Sequence, residues 1–317
     1  MIYSNLAERV LFPAVKSGAN RLCVLTESAA PNMVSWLLLN HMKRLKAPVK
    51  LELIIDAEAT NGISVSLHES FKELHSIVPD FICSYVCEPI SSSLNLYIWL
   101  RDDTPVSAFT TSAAFEQSAF LEKERGDIAV CDARNAFEQY TSAESNSIYC
   151  HHAEIEEHVR IFQAPASGDQ SGVSGDHSAL PRDEITLSLV TKRTGEPGIR
   201  SGLNWGQRKG RNPNQAYIPL PIGIARSGFF PIDPIDSPPH FTVLTDDRHQ
   251  LILRIEQQNH KAIATPLSNA QLGEYFRGRL GLPNGAYVNK ADLERYGRTD
   301  VKFLKIDSEH YYMDFSV

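Results

Sequence analysis

Residues 163–180 read QAPASGDQSGVSGDHSAL. The stretch is rich in Gly, Ser, Ala and Asp and carries no periodic apolar pattern. Too little apolar surface is available to offset the entropy of ordering it, so its composition predicts a flexible connection between two units. Before it, strand-like and helix-like stretches alternate. RLCVL (21–25) and LELII (51–55) read as short buried strands. Between them, residues 32–46 place Met33, Trp36 and Leu37 at helical spacing, with Pro48 just beyond. Further strands are predicted over 81–86, 94–99 and 107–110, a helix over 112–123 and a short strand over 127–131. This alternation predicts a layered α/β domain over 1–162. After the connection, short partly alternating strands are predicted over 185–190, 216–218, 241–244, 251–255 and 301–306. The turns GEPG (195–198), RNPN (211–214), SPP (237–239) and LPNG (282–285) separate them, with one short helix over 292–296. Many short strands of mixed spacing predict a mainly β pseudobarrel over 181–317.

Of the 317 residues, 42% are hydrophobic and 22% charged, which excludes a mainly disordered chain, a coiled coil and a collagen-like fibre. No apolar run approaches the roughly 20 residues needed to cross a bilayer, so no membrane association is expected. The N-terminus, MIYSNLAERVLF, has no basic region followed by an apolar core, so no secretory signal is expected. The cysteines are Cys23, Cys83, Cys87, Cys131 and Cys150, an odd and sparse set that suits reduced thiols and a cytoplasmic location. The net charge of −7 is unevenly divided. Residues 1–162 hold 13 basic against 21 acidic residues, whereas 181–317 hold 18 against 15. An acidic first half beside a locally basic second half points to a polyanion that meets only one of them.

The densest chemical signal is IRSGLNWGQRKGRNPNQA (199–216). It holds Arg200, Arg208, Lys209 and Arg211, the amides Asn204, Gln207, Asn212, Asn214 and Gln215, and Trp205; Arg193 lies shortly before it. Arg offers paired donors to guanine O6 and N7, and Asn or Gln can pair with adenine N6 and N7. Lys and spare Arg suit phosphates. A second patch, EQQNHK (256–261), brings Gln257, Asn259 and Lys261 directly after a predicted strand. Two such loops at one end of a barrel can grip a duplex from both sides. A small phosphorylated ligand and a polar loop whose amides serve only turns are the competing readings. No P-loop or dinucleotide glycine fingerprint is present, so no cofactor is expected.

Three other groups weigh less. Cys83 and Cys87 share one face of a predicted strand and read as structural cysteines. Cys150, His151 and His152 form a cluster, but a zinc site needs three or four ligands and the candidates elsewhere are unremarkable, so no metal is assigned. His41 and Lys43 read as a helix C-terminal cluster, where positive charge is favourable. Asp102–Asp103 and Asp246–Asp247 read as hairpin turns.

The second half resembles the C-terminal part of the NgoFVII-type restriction endonuclease family. The resemblance rests on SGLNWGQ (201–207), NQAYIPLP (214–221), GFFP (228–231), FTVLTDD (241–247), LGEYFRGRLGL (272–282), YGRTDVKF (296–303) and MDFSV (313–317). It implies a plant B-three-like pseudobarrel that reads duplex DNA in the major groove, with 191–215 as one arm and 256–269 as the other. The first half resembles the family's phospholipase-D-like nuclease domain through LNLYIWLRDDTPVSAFTTSAAFEQSAF (94–120) and SIYCHHAEIEEHVRIF (147–162). Such nucleases place a His-x-Lys pair before the Tyr-x-Trp segment, the His as nucleophile and the Lys against the phosphoryl oxygens. Those positions here read Ser93 and Asn95. The following Gly-Ser-x-Asn turn reads Thr111, Ser112, Ala113 and Ala114, so only the serine matches. The expectation is a DNA-binding protein with an impaired nuclease centre. The alternatives are a nuclease that works by a displaced nucleophile or a metal, and a protein–protein adaptor without DNA affinity. The resemblance also implies a homodimer through the N-terminal domain, a helicase-like ATPase partner and a role in defence by restriction.

Overall fold

The computed structural model describes residues 2–3, 5–16, 18–46, 48–88, 95–122, 126–163, 184–232, 238–256 and 260–317. The chain divides into two compact units, Met1–Gln170 and Ser171–Val317. Apart from Gln163, the expected connection at 163–180 lies outside the described residues, as do Ser93, Gln257 and Asn259.

In the first unit β1 (Arg21–Thr26), β2 (Lys50–Ile55), β3 (Phe81–Val86), β4 (Asn95–Arg101), β5 (Thr104–Thr111), β6 (Ala129–Cys131) and β7 (Ser147–Tyr149) form one sheet, ordered β7-β3-β2-β1-β4-β5-β6. β1, β2 and β3 run parallel, and the other strands join antiparallel. The central strands are buried on both faces, which is why they read as continuous apolar runs. Alternate side chains serve opposite layers. Cys23, Leu25, Ile54, Leu96 and Ile98 meet Ala136 and Tyr140 of a helix, Ala133–Ser145. Tyr97 and Trp99 point the other way: Trp99 Nε1 donates to Val10 O at 2.8 Å, and the Tyr97 ring lies 5.4 Å from that of Phe120.

Every strand predicted in this half is present. The helices differ. The predicted helix over 32–46 is an α-helix, Pro31–Asn40, followed by a π-helical turn, His41–Leu45. His41 ends the α-helix but does not face solvent. It is fully buried, its Nε2 lies 2.9 Å from Leu11 O, and its ring packs between Phe12 and Trp99. The predicted helix over 112–123 shrinks to one π-helical turn, Ser118–Glu122. Phe115 bridges to Ala29, with Phe115 N donating to Ser28 O and Ala30 N to Phe115 O, which holds the preceding residues extended. Two further helices, Val65–Ile77 and Ala133–Ser145, start at the N-caps Ser64 and Asp132; Asp132 accepts from Arg134 N and Asn135 N.

In the second unit β8 (Glu184–Ser188), β9 (Ile218–Pro219), β10 (Phe241–Thr245), β11 (Gln250–Glu256), β12 (Ala262–Ala264), β13 (Asp300–Lys305) and β14 (His310–Asp314) form a sheet ordered β8-β13-β14-β10-β11-β12-β9. The edge strands β8 and β9 lie against each other, so the sheet nearly closes. β10 and β14 pair in parallel among otherwise antiparallel neighbours. This is the mainly β barrel that the spacing predicts. Phe230 sits at its centre, with ring centroids 5.3–5.4 Å from Phe241, Phe303 and Tyr311. A helix that the sequence did not announce, α1 (Ala270–Arg279), packs beside it, and α2 (Lys290–Tyr296) opens with a capping box between Asn289 and Asp292 and ends at Gly297, φ 102°. Arg279 binds both Asp246 oxygens at 2.9 and 2.7 Å and reaches Phe315 O at 3.1 Å. The Asp246–Asp247 turn therefore fastens the C-terminal strand as well as joining β10 to β11.

Candidate nucleic-acid interface

The segment between β8 and β9 folds into an arm with a buried base and a charged outer part. A 3-10 helix, Gly202–Gln207, forms the base. Asn204 is fully buried; its Nδ2 donates to Val288 O at 2.7 Å and its Oδ1 accepts from Val288 N at 2.9 Å. Asn214 is also buried, accepting from Gly285 N at 2.6 Å and donating to Glu274 at 3.1 Å. Gln207 Nε2 donates to Gly285 O at 3.0 Å. Gly206 is required by space, because a Cβ there would stand 2.3 Å from Asn212 O. The amides read as base-pairing groups thus divide, and Asn204, Asn214 and Gln207 face inward to hold the loop.

Arg277 completes the base, and sequence reasoning passed over it. Its side chain is fully buried in the last turn of α1. It donates to Ala286 O at 2.8 Å, Gly273 O at 3.1 Å, and both Leu203 O and Pro213 O at 3.2 Å. Burial holds its guanidinium below its ordinary pKa, against the pull of Glu274. The only trace in the sequence is an arginine before a glycine in YFRGR, which reads equally well as a solvent-facing helix end.

Outside this base, Arg193, Arg200, Arg208, Lys209, Arg211 and Asn212 are exposed. Arg208 Nε donates to Arg200 O at 3.0 Å, and Asn212 Oδ1 accepts from Asn214 N at 2.9 Å. Trp205 is half-buried, edge-on to Tyr217 at 5.7 Å, and the Arg211 guanidinium lies 4.3 Å above its ring. In the segment expected as the second arm, Lys261 is exposed and its carbonyl accepts from Leu220 N at 2.8 Å. Ala216 N, at the end of the first arm, donates to Asn269 O at 3.0 Å.

In the first unit, the positions that match the nuclease motif lie where β4 begins and β5 ends. Asn95 is buried; its Oδ1 accepts from Thr26 Oγ1 at 2.5 Å and Glu27 N at 3.1 Å, and its Nδ2 donates to Thr111 O at 3.3 Å. The Ser112 hydroxyl donates to Asp127, and Ser112 N donates to both Asp127 oxygens at 3.2 Å. Those Ser112 bonds hold the Asp127 carboxyl below the usual carboxylate range. A carboxylate so stabilised is a poor base for a serine hydroxyl. Among the described residues the partners of Asn95 and Ser112 are the Thr26 hydroxyl, the Asp127 carboxylate and backbone groups. Among the described residues no group of three or more His, Cys, Asp or Glu is placed to hold a metal ion. His151 stacks on His75 at 4.4 Å, and Cys83 is buried with Cys150 N bonded to its carbonyl at 3.0 Å, while Cys87 is half-buried.

Two family models match this architecture. Residues 4–157 match the NgoFVII restriction endonuclease N-terminal PLD domain, and residues 180–307 match the NgoFVII C-terminal B3-like DNA-binding domain. The chain belongs to the NgoFVII restriction endonuclease family. Within this NgoFVII-family chain, the first unit is therefore the phospholipase-D-like domain and the second the B3-like DNA-binding domain. Solved structures similar to it include a phospholipase D family member, Nuc, from Salmonella typhimurium, at 12% identity and a TM-score of 0.33, covering 47% of this chain and 97% of that one. NucT from Helicobacter pylori matches at 12% identity and a TM-score of 0.31, with the same coverage of each chain. No curated protein matches. No helix of the described residues is long and apolar enough to cross a membrane.

Proposed function

We propose that this NgoFVII-family chain binds double-stranded DNA in a sequence-specific manner through the B3-like unit, and that its nuclease centre is impaired. The observation that carries the reading is the arm: exposed Arg200, Arg208, Lys209 and Arg211 stand on a base closed by Asn204, Asn214 and Arg277. Cations supply phosphate contacts and guanidinium forks supply base contacts. A base that is already folded lowers the ordering cost of binding. Lys261, with Gln257 and Asn259 in the same segment, serves the second arm.

The impaired centre rests on Asn95 and Ser112. Asn95 carries no charge for a developing phosphorane, and its amide is spent on Thr26, Glu27 and Thr111. Loss of one preorganised electrostatic partner costs about 100- to 1000-fold in rate. In the same reading, 163–180 links the domains, two copies pair through the N-terminal units to present two reading heads, and a helicase-like ATPase is the partner in defence against foreign DNA. The five free thiols suit a reducing cytoplasm.

Incubation of the full chain with mixed-sequence plasmid, Mg²⁺ and ATP is expected to leave the plasmid intact. Discrete fragments that disappear in Ser112→Ala would overturn the impaired-centre reading. Binding to duplex is expected to weaken steeply with salt, with a log–log slope near 0.9 per phosphate contacted.

A further inference from the structure

The cations of the arm are not equivalent. Arg193 and Lys209 are exposed and have no side-chain partner among the described residues. Arg208 is tied by one bond to a backbone carbonyl. Arg211 is held twice: its Nη1 donates to Gln215 Oε1 at 3.1 Å, and its guanidinium lies 4.3 Å above the Trp205 ring. The holders are themselves fixed. Trp205 sits between Asn204 and Gly206, whose places are set by Val288 and by the Asn212 and Pro213 carbonyls. Gly206 N also donates to Gln215 O at 2.7 Å, so the residue next to Trp205 in the chain is joined to the residue beside the guanidinium.

A phosphate accepts a cation from many directions, so a flexible Lys serves it. Guanine O6 and N7 demand two donors in one plane. A guanidinium carries five N–H donors in a rigid fork. Arg211 spends one on Gln215, and four remain. Stacking on Trp205 limits rotation of the plane and lowers the ordering cost of a paired contact. We infer that Arg211 is the guanine-reading residue of the arm, that Trp205 and Gln215 are its positioning residues, and that Lys209 and Arg193 contact phosphates. The assignment rests on the duplex-binding reading and adds the chemistry of one recognised base.

The test uses the full chain and a random-sequence DNA duplex pool, carried through rounds of retention and sequencing. Wild type is expected to enrich a motif that contains guanine. Arg211→Ala and Arg211→Lys are expected to flatten one guanine column and to lower discrimination at that column about 5- to 150-fold. Lys keeps the charge but lacks the fork, so its failure to rescue separates base reading from charge. Trp205→Leu and Gln215→Ala are expected to flatten the same column in part. Lys209→Ala is expected to keep the motif and weaken preferred and random duplex alike, with the salt slope reduced by about 1. Arg211 is exposed, and unchanged circular dichroism and melting of its variants confirm that folding is unaffected. If Arg211→Ala enriches the wild-type motif and loses affinity evenly, Arg211 contacts phosphate and the assignment is overturned. If wild type retains no duplex at low salt, the duplex-binding reading falls and takes the assignment with it.

Discussion

Arg277 carries a charge into the interior with no carboxylate bonded to it among the described residues, and four backbone carbonyls take its donors instead. Removing it leaves those carbonyls facing a vacated site. Each buried group without a partner costs about 1–3 kcal/mol. Arg277→Met is therefore expected to lower the stability of the B3-like unit by about 3 kcal/mol or more, read from its transition in urea. Glu52 is the counterpart in the first unit. Burial alone would raise its carboxyl, but bonds from Arg21 and Lys50 hold it below the ordinary Glu value. A depressed carboxyl contributes stability that is present above the unfolded pKa and lost as pH falls through the folded one. The first unit is expected to lose stability on acidification below about pH 4.5, near the unfolded Glu value. Glu52→Gln should flatten that acid limb when unfolding midpoints are followed against pH. Neither role was legible in the sequence. A buried arginine and an exposed one are the same letter, and the amides of 199–216 read as one set although Asn204 and Asn214 turn inward.

Elements were legible where burial is two-sided and hidden where it is narrow. RLCVL and LELII lie in the middle of a sheet covered on both faces, so their apolar runs spell out strands. The helix Ala133–Ser145 buries only Ala136, Tyr140 and Ala143. So thin a stripe in a polar segment gives little periodic signal. Helix α1 of the second unit carries Gly273 and Gly278, each costing about 1 kcal/mol of helix propensity. Gly273 is nonetheless required, because a Cβ there would stand 1.7 Å from Asn214 O. Gly273→Ala is expected to push the helix and the arm apart. The expected outcome is a lower melting temperature together with weaker duplex binding. Unchanged binding in a folded variant would show that the helix does not set the arm.

At the scale of the whole molecule, the uneven charge of the sequence is realised as a division of labour. The acidic half is the phospholipase-D-like unit, and the basic loop of the other half is the outer surface of an arm in the B3-like unit. The two-unit plan and the barrel were legible because composition and strand spacing change at 163–180. The closed base of the arm was not, since it joins residues more than seventy positions apart, such as Asn204 with Val288 and Leu203 with Arg277. The central claim is that this arm grips the double helix. Amide hydrogen exchange of the full chain, with and without a saturating duplex retained from the random pool, tests it most directly. The account predicts slower exchange across 207–212, with α1 of the B3-like unit protected equally in both states. Retained duplex with no change in 199–216 would contradict it.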